Sequence, residues 1–314
     1  MAPIAAFTSP TASPVFANLA SALDLNQVTS VLSNHTFTTF LLVFVASLVA
    51  GLIGALVGLG GGVFIVPILT LGFGVPFPIA AGASIVSVIA TSSGAAAAYV
   101  RDHITNLRVG MFLEIGTTLG ALSGAILVSF LPVGVLFLIF GAVLLVSAIP
   151  LIVQHQQELP VGVKNDRLAV ALALDGTYPD QKLGREVTYQ VTRTPLGFAM
   201  MYMAGVISGL LGIGSGVFKV LALDTAMRLP MKVSTTTSNF MIGVTAAASA
   251  GIYFARGQID PLIAAPVALG VVIGATVGAQ TLAKLTNVAL RRIFVVVLVL
   301  SAIEMFLHGL GVKY

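Results

Sequence analysis

The sequence predicts an all-α polytopic membrane protein of about ten transmembrane helices, arranged as two inverted five-helix repeats with short broken helices. The first observation is composition, since 57% of the residues are hydrophobic, 8% are charged and the mean hydropathy is +1.05. A soluble domain carries about a quarter charged residues. The second is that the apolar residues form continuous runs near the ~20 residues that cross a bilayer, without the alternation of a barrel strand.

The third observation is an internal repeat, because the chain matches itself without gaps at an offset of 154 from about Ala50 to about Ile149. Each copy contains four full hydrophobic segments and one short segment. The first copy gives 36–57, the short 62–74, 79–99, 109–131 and 133–153; the second gives 195–211, the short 214–227, 233–255, 261–283 and 289–310. The predicted organisation is a leader over 1–35, a first transmembrane repeat over 36–153, a linker over 154–194 and a second repeat over 195–314.

The positions of Lys and Arg predict the orientation of these segments, because both residues collect in cytoplasmic loops. If all ten segments cross and the N-terminus is outside, twelve of these residues lie in the cytoplasm and two, Arg256 and Lys313, lie outside. If the short segments are re-entrant instead, the better orientation gives only nine against five. We therefore expect ten crossings in a bacterial inner membrane, a cytoplasmic linker and both termini extracytoplasmic. The leader contains no Lys or Arg, so it lacks the basic start of a secretory signal.

Several function classes have no support in the sequence. The chain has no cysteine, and its four histidines are scattered without metal-ligand spacing, so we expect no metal and no cofactor. No ATP-binding motif, paired aspartates or serine with a credible base is present, so we do not expect an enzyme. The net charge of +4 follows from membrane topology and does not indicate nucleic-acid binding.

Two glycine-rich breaks occupy equivalent positions in the two repeats. Glycine tolerates backbone angles that interrupt a helix, and a helix that starts after the break directs free N–H groups and its positive dipole end toward an anion. The alternative is that these glycines only allow close helix packing. The candidate substrate-binding residues are Gly60, Gly61 and Gly62 in the first break and Gly214, Ser215 and Gly216 in the second.

Hydroxyl and amide groups form a second set of candidates, because they donate hydrogen bonds to an oxyanion without a full charge. The symmetric placement of Ser84 with Ser238 and of Thr91 with Thr245 favours these four residues. Asn239 is favoured because a side-chain amide is scarcer in a span. The alternative is that Ser and Thr bond to their own helix or to a neighbouring one.

Two charged residues lie within predicted spans. Lys219 stands where the first copy has Ile65, and a lysine at mid-membrane costs about 2.5 to 3.5 kcal/mol on insertion scales. Three alternatives could compensate the charge of Lys219: a transported anion, Asp224 or Glu114. Glu114 is a candidate proton-coupling group, and the alternative is an interfacial acid paired with Arg101 or Arg108.

The two copies resemble the sulfite exporter TauE/SafE family. The likeness rests on the repeated Gly-x-Gly-x-Gly-Val-Phe stretch, on Pro67 and Pro76 followed by residues 80–84, and on Leu229-Pro230 followed by residues 234–238. It covers about residues 40–310. The resemblance implies a secondary carrier of sulfur-containing or carboxylate anions such as sulfite or sulfoacetate, usually outward. Lys219 and the serine at position 215 depart from the family pattern.

The leading hypothesis is therefore an exporter of small anions, with an organosulfur anion as substrate and the lipid bilayer as surroundings. It would work by alternating access around the two breaks, as inverted-repeat transporters do. A passive anion channel is the alternative, and an intramembrane enzyme ranks last.

Overall fold

The structure is a computed structural model that describes residues 34–57, 62–101, 104–152, 162–180, 184–282 and 287–311. The predicted leader therefore lies almost entirely outside the described residues. The described residues up to Leu42 belong to one unit and Val43–Tyr314 to a second, to which the packing described next belongs. Three described helices are long and apolar enough to cross a membrane: Leu107–Phe130, Thr194–Leu211 and Met231–Ala255.

The first half of the described chain is a series of apolar helices separated by short turns. Proline and glycine residues end or interrupt these helices because proline lacks an N–H donor and glycine is flexible. The elements are α1 (Asn34–Val57), α2 (Gly62–Pro67, extended by a π-helical turn Ile68–Gly72), α3 (Phe77–Arg101), α4 (Leu107–Leu127, extended by a 3-10 turn Val128–Phe130) and α5 (Val133–Ile152).

The second half repeats this series at the predicted spacing. It contains α7 (Thr194–Leu211), α8 (Gly216–Leu221, extended by a π-helical turn Ala222–Ala226), α9 (Met231–Ala255), α10 (Pro261–Leu282) and α11 (Asn287–Gly309). The starts of α8, α9, α10 and α11 each fall 154 residues after those of α2, α3, α4 and α5. Even the π-helical turn recurs, so each copy of the sequence determines the same local backbone.

The helices of the two halves pack closely against each other at glycine residues. In α4, a Cβ on Gly120 would lie 2.1 Å from the carbonyl oxygen of Tyr202 in α7. In α10, a Cβ on Gly274 would lie 2.0 Å from the carbonyl oxygen of Leu48 in α1. Small residues allow such close approach of helix backbones in membranes. The fourth main helix of each half therefore packs against the first helix of the other half. The spacing of four residues between Gly116, Gly120 and Gly124 in α4, and between Gly270 and Gly274 in α10, is typical of such a packing role.

The linker between the halves contains secondary structure that the sequence pattern does not predict. It contains the short helix α6 (Arg167–Ala171) and an antiparallel hairpin of β1 (Gly176–Asp180) and β2 (Arg185–Tyr189). Asn106 joins this hairpin to the helices: its Nδ2 donates to the Tyr189 hydroxyl and to the Leu174 carbonyl, both at 2.8 Å. The Asn106 backbone N–H donates to Thr237 Oγ1 at 3.1 Å, so one residue connects the linker to α9.

Asp166 fastens the linker to the start of α7. Its carboxylate accepts hydrogen bonds from the backbone N–H of Ala169 at 2.6 Å and from the Thr194 hydroxyl at 2.9 Å. Partial burial acts to raise the pKa of Asp166, but these hydrogen bonds to the charged form outweigh it and lower the pKa below its usual value. Burial raises the pKa of Tyr189 to about 12, so its hydroxyl stays neutral where it meets Asn106.

Candidate functional site

The second glycine-rich break is a left-handed stretch of backbone between α7 and α8. Gly212 and Gly214 have φ values of +73° and +74°, and Ser215 also lies in the left-handed region with φ +48°. A Cβ on Gly212 would lie 2.5 Å from the carbonyl oxygen of Ala81, so glycine is required there by both conformation and space. Ser215 pays a conformational cost that glycine would avoid.

The two breaks approach each other in the core of the bundle. A Cβ on Gly62 would lie 3.8 Å from Ile213 Cα. Ser84 Oγ donates to the Gly62 carbonyl at 3.0 Å, and Ser238 Oγ donates to the Gly216 carbonyl at 3.2 Å. These two bonds are equivalent in the two halves, so the symmetric serines hold the first residue of α2 and of α8. The candidates Gly60 and Gly61 lie outside the described residues.

Lys219 points from α8 into a buried polar cluster. Its side chain has an exposed fraction of 0%. Nζ donates to Thr245 Oγ1 on α9, and Thr245 Oγ1 lies 2.7 Å from Glu114 Oε1 on α4. The ammonium and the carboxylate are therefore joined through one hydroxyl and attract each other across it. We call these three residues the Lys219–Thr245–Glu114 cluster.

The Thr245 hydroxyl has two acceptors for its single proton. Besides Glu114 Oε1, the Met241 carbonyl lies 2.8 Å from Thr245 Oγ1, in the preceding turn of the same helix. Because a hydroxyl donates one hydrogen bond, it serves either the carboxylate or the carbonyl at one time. The cluster therefore has two hydrogen-bonding arrangements with the same backbone.

Most of the Glu114 side chain is buried in the bundle. Its Oε1 also accepts from Thr118 Oγ1 at 3.2 Å, while its Oε2 is buried and has no hydrogen-bond partner. The alternative prediction that Glu114 pairs with Arg108 is wrong, because the Arg108 guanidinium donates to the Ala173 carbonyl at 3.1 Å. The side chain of Arg101 lies outside the described residues. Of the partners predicted for Lys219, Glu114 is the one that contacts the same hydroxyl, that of Thr245.

Glu114 has an exposed fraction of 8%, and this edge lies in an apolar groove. The groove has a volume of about 420 Å³ and lies on the outer surface of α4 and α9. Lys219 is not among its lining residues. The lining residues are Met111, Glu114, Ile115, Thr118, Leu119, Phe240 and Val244.

Other sequence-predicted candidates lie outside this cluster. Thr91 Oγ1 donates to the Ser87 carbonyl of its own helix at 2.9 Å, as the alternative reading of such residues expects. Asn239 is half-buried, one residue beyond Ser238 and therefore about 100° around α9 from it. Ser215 is buried, with 3% exposed, and its Oγ has no hydrogen-bond partner among the described atoms.

The linker closes one end of the bundle above the cluster. Along α9, Thr237, Met241 and Thr245 follow one another at helical spacing, and Thr237 meets Asn106 beneath the hairpin. Met241 and Leu113 are buried in one apolar cluster with Tyr178 and Tyr189 of the linker. An apolar layer therefore separates the linker from the Lys219–Thr245–Glu114 cluster.

Comparison with known proteins places this architecture in a family. The family model described as sulfite exporter TauE/SafE matches residues 43–305. The chain belongs to the TauE/SafE family. It is 25% identical over 279 residues to the probable membrane transporter protein YunE of Bacillus subtilis, covering 87% of this chain and 99% of that protein. It is 27% identical over 252 residues to the probable membrane transporter protein YdhB of the same organism, covering 80% and 94%. No solved structure matches the chain.

Membership of the TauE/SafE family confirms the resemblance drawn from the repeated motifs, and the chain is a multi-pass membrane transporter. The match includes Lys219, Thr245 and Glu114. A transporter family also accords with a protein that is not an enzyme. Within the described part of this TauE/SafE chain, no group of three His, Asp or Glu side chains is placed to hold a metal ion.

Sequence reasoning missed two contributions to this TauE/SafE site. Thr118 follows Glu114 by one helical turn, and that spacing was a readable signal for a hydrogen bond to the carboxylate. Asn106 precedes α4 as its N-cap, with Oδ1 accepting from Val109 N–H at 3.0 Å, but its contact with Thr237 spans 131 residues and has no local signal.

Proposed function

We propose that this TauE/SafE protein is a secondary transporter that exports small sulfur-containing or carboxylate anions, such as sulfite or sulfoacetate, by alternating access. The observation that carries the proposal is Lys219, a fully buried cation one helical turn after the glycine-rich break. A buried charge is retained at a cost of several kcal/mol, and intramembrane charges usually serve transport. A small anion is the substrate whose charge such a lysine complements.

The surroundings of Lys219 fit an anion that must bind and also leave. Ser215, four residues earlier, supplies a buried hydroxyl without a partner. Thr245 supplies a second hydroxyl, already in contact with the ammonium. Hydroxyl donors with one cation give weaker binding than several cations would, which suits release. Gly62, Gly214 and Gly216, with Ser84, Ser238, Thr91 and Asn239 on the neighbouring helices, remain the proposed wider binding region.

Alternating access is supported by the complete burial of Lys219. Lys219 is not exposed at all, and an apolar layer lies between the cluster and the linker. A substrate could reach the lysine only after helices move. Because the first and fourth main helices of each half pack against the other half through close glycine contacts, we expect them to move together as packed pairs. We infer that opening alternates between the two sides of the membrane.

We further propose ten crossings in two inverted repeats of the bacterial inner membrane, with domains at 36–153 and 195–314 and the 154–194 linker in the cytoplasm. The absence of cysteine makes a labelling test simple. Leu310→Cys, at a position 71% exposed after α11, should react with an impermeant maleimide added to intact cells. Val170→Cys in the linker is the control and should stay protected. Protection of both would favour eight crossings and a cytoplasmic C-terminus.

Flux into proteoliposomes tests the transport proposal. The purified protein should move radiolabelled sulfite or sulfoacetate with saturation, and Lys219→Met should reduce the rate by about tenfold or more, as for loss of a buried charge contact. Ile65→Met, at the equivalent position of the first half, is the matched control and should transport normally. Absence of flux for every sulfur-containing and carboxylate anion tried would overturn the proposal.

Counterflow separates this proposal from a passive channel. A carrier exchanges labelled external anion for unlabelled internal anion, so preloaded vesicles should accumulate label transiently. A channel does not couple the two movements. Equal uptake with and without preloading, together with flux that never saturates, would favour the channel.

A further inference from the structure

We propose that Glu114 acts as a tethered stand-in for the transported anion, so that each anion pairing with Lys219 is accompanied by a proton bound to Glu114. The inference rests on the proposed function and adds its coupling. It follows that one proton and one anion cross the membrane together, in the same direction. For a monoanion, the loaded and empty sites then carry the same net charge.

The first step of the argument is the charge of the bundle interior. Among the residues that the structure describes, Glu114 and Lys219 are the charged residues with buried side chains. Their charges cancel, and the Thr245 hydroxyl bridges them. The cation therefore already has an anionic partner, and an incoming anion must compete with a carboxylate of the protein itself.

The second step is that Thr245 can stop donating to the Glu114 carboxylate and still donate a hydrogen bond elsewhere. Thr245 Oγ1 can direct its proton to the Met241 carbonyl at 2.8 Å instead of to Glu114 at 2.7 Å. It still accepts from Lys219 in either arrangement. The structure thus contains a ready alternative for the bridging hydroxyl at the moment when an anion takes the ammonium.

The third step is the fate of the displaced carboxylate. Its Oε2 is buried without a partner, and its Oε1 would keep only the Thr118 hydroxyl. An ionised carboxylate left in that environment is costly, and a buried group in this position takes up a proton instead. Anion binding and proton binding are therefore linked, and linkage is reciprocal.

Other charged groups near α4 do not supply the missing compensation. Lys219 is the charge that acts on Glu114 from α8. Arg108 is one and a half turns earlier on α4 and bonds to the linker at Ala173. The remaining titratable or charged groups on or next to elements around α4 are Tyr202 on α7, Asp224 in the turn after α8, Lys232 and Tyr253 on α9, and Arg256 just after α9. The Tyr253 hydroxyl donates to the Gly209 carbonyl, and Arg256 donates to the Ala125 carbonyl.

Calorimetric titration of the full-length protein in detergent tests the linkage. Methanesulfonate is the probe because it is a permanent monoanion, so any proton exchanged belongs to the protein. Titration in two buffers of different ionisation enthalpy should give an uptake of about one proton per anion bound, and affinity that rises as pH falls. Binding without proton uptake by the wild-type protein would overturn the inference and leave the proposed function intact.

Two variants sharpen the result. At mildly acidic pH, where the Lys219 ammonium stays charged without Glu114, Glu114→Gln should bind methanesulfonate with no proton uptake, and its flux should become sensitive to membrane potential. Glu304→Gln, an exposed acid on α11, is the matched control and should behave as wild type. Persistent uptake in Glu114→Gln would overturn the assignment to this residue. Failure of the wild-type protein to bind methanesulfonate or sulfite at all would overturn both proposals.

Discussion

The two halves of this protein share a backbone and differ in charge at one equivalent place. At that place Lys219 and Thr245 of the second half meet Glu114 of the first half; the residues at the equivalent positions of the repeat are Ile65, Thr91 and Ala268. Ile65 is fully buried, and Thr91 bonds only within its own helix. The helices around both places begin at equivalent residues. Two side chains, Lys219 and Glu114, therefore distinguish the charged cluster from its uncharged counterpart, because the threonine is common to both.

The charged residues lie at the boundary between the two copies, so this is where a duplicated fold can gain a function. Glu114 belongs to the first half, yet it meets two residues of the second, because α4 packs across the boundary between the halves. Its equivalent Ala268 lies on α10, which packs across the boundary in the opposite sense. Because the halves pack closely, residues from both copies surround each of these two positions. A pair of opposite charges there can therefore combine one residue from each copy.

Removal of the cation should have the largest effect on this comparison. Lys219→Met leaves Glu114 buried without a counter-charge, which should lower the free energy of unfolding by about 3 to 5 kcal/mol. Unfolding in mixed SDS micelles measures it. The double variant Lys219→Met, Glu114→Gln should regain most of the loss, while Ile65→Met should cost less than about 1.5 kcal/mol. A double variant no better than the single would show that the charges are not coupled.

Enlarging the glycines at the boundary should cost less and should affect both halves alike. Gly120→Ala and Gly274→Ala each place a methyl group about 2 Å from a facing carbonyl oxygen, so each should destabilise by about 1 to 3 kcal/mol. Gly251→Ala on α9, with nothing within 4 Å, should be neutral or stabilising. The same unfolding assay compares them, and a large difference between the first two would break the equivalence of the halves.

Removal of the bridging hydroxyl should destabilise the protein more than removal of the equivalent hydroxyl in the first half. Thr245→Val should cost about 1 to 3 kcal/mol because it removes the buried hydroxyl that Lys219 contacts and leaves Glu114 Oε1 with Thr118 alone. Thr91→Val removes only a bond within one helix and should cost about 1 kcal/mol or less. Equal losses of stability in the two variants would mean that Thr245 does not bridge the charges.

The symmetric serines should give the smallest effect. Ser84→Ala and Ser238→Ala each delete one hydrogen bond to the first residue of a short helix, at 3.0 and 3.2 Å. Each should lower stability by about 0.5 to 1.5 kcal/mol, by the same amount in both halves. Flux measured on the same preparations should fall only where the serine also contacts substrate, which would assign a substrate role to one half.

Much of the helical layout could be predicted because it is local. Runs such as 233–255 and 261–283 differ from the observed α9 and α10 by two residues or fewer at each end, since apolar length and flanking proline or glycine determine them. The linker hairpin was missed because its strands are short and their pairing is stabilised by contacts with Asn106 and the helix ends. The substrate role of the glycine and hydroxyl candidates stays a prediction.

The sequence by itself determined that this chain is a helical membrane protein, that its halves are copies and that it belongs with the TauE/SafE transporters. Composition, periodicity and repeated motifs carry that information because each is a property of adjacent or regularly spaced residues. Only the tertiary structure decided that Glu114 shares a hydroxyl with Lys219 and does not pair with Arg108. Thr245 and Glu114 are 131 positions apart, and such a contact exists only once α4 and α9 are packed together.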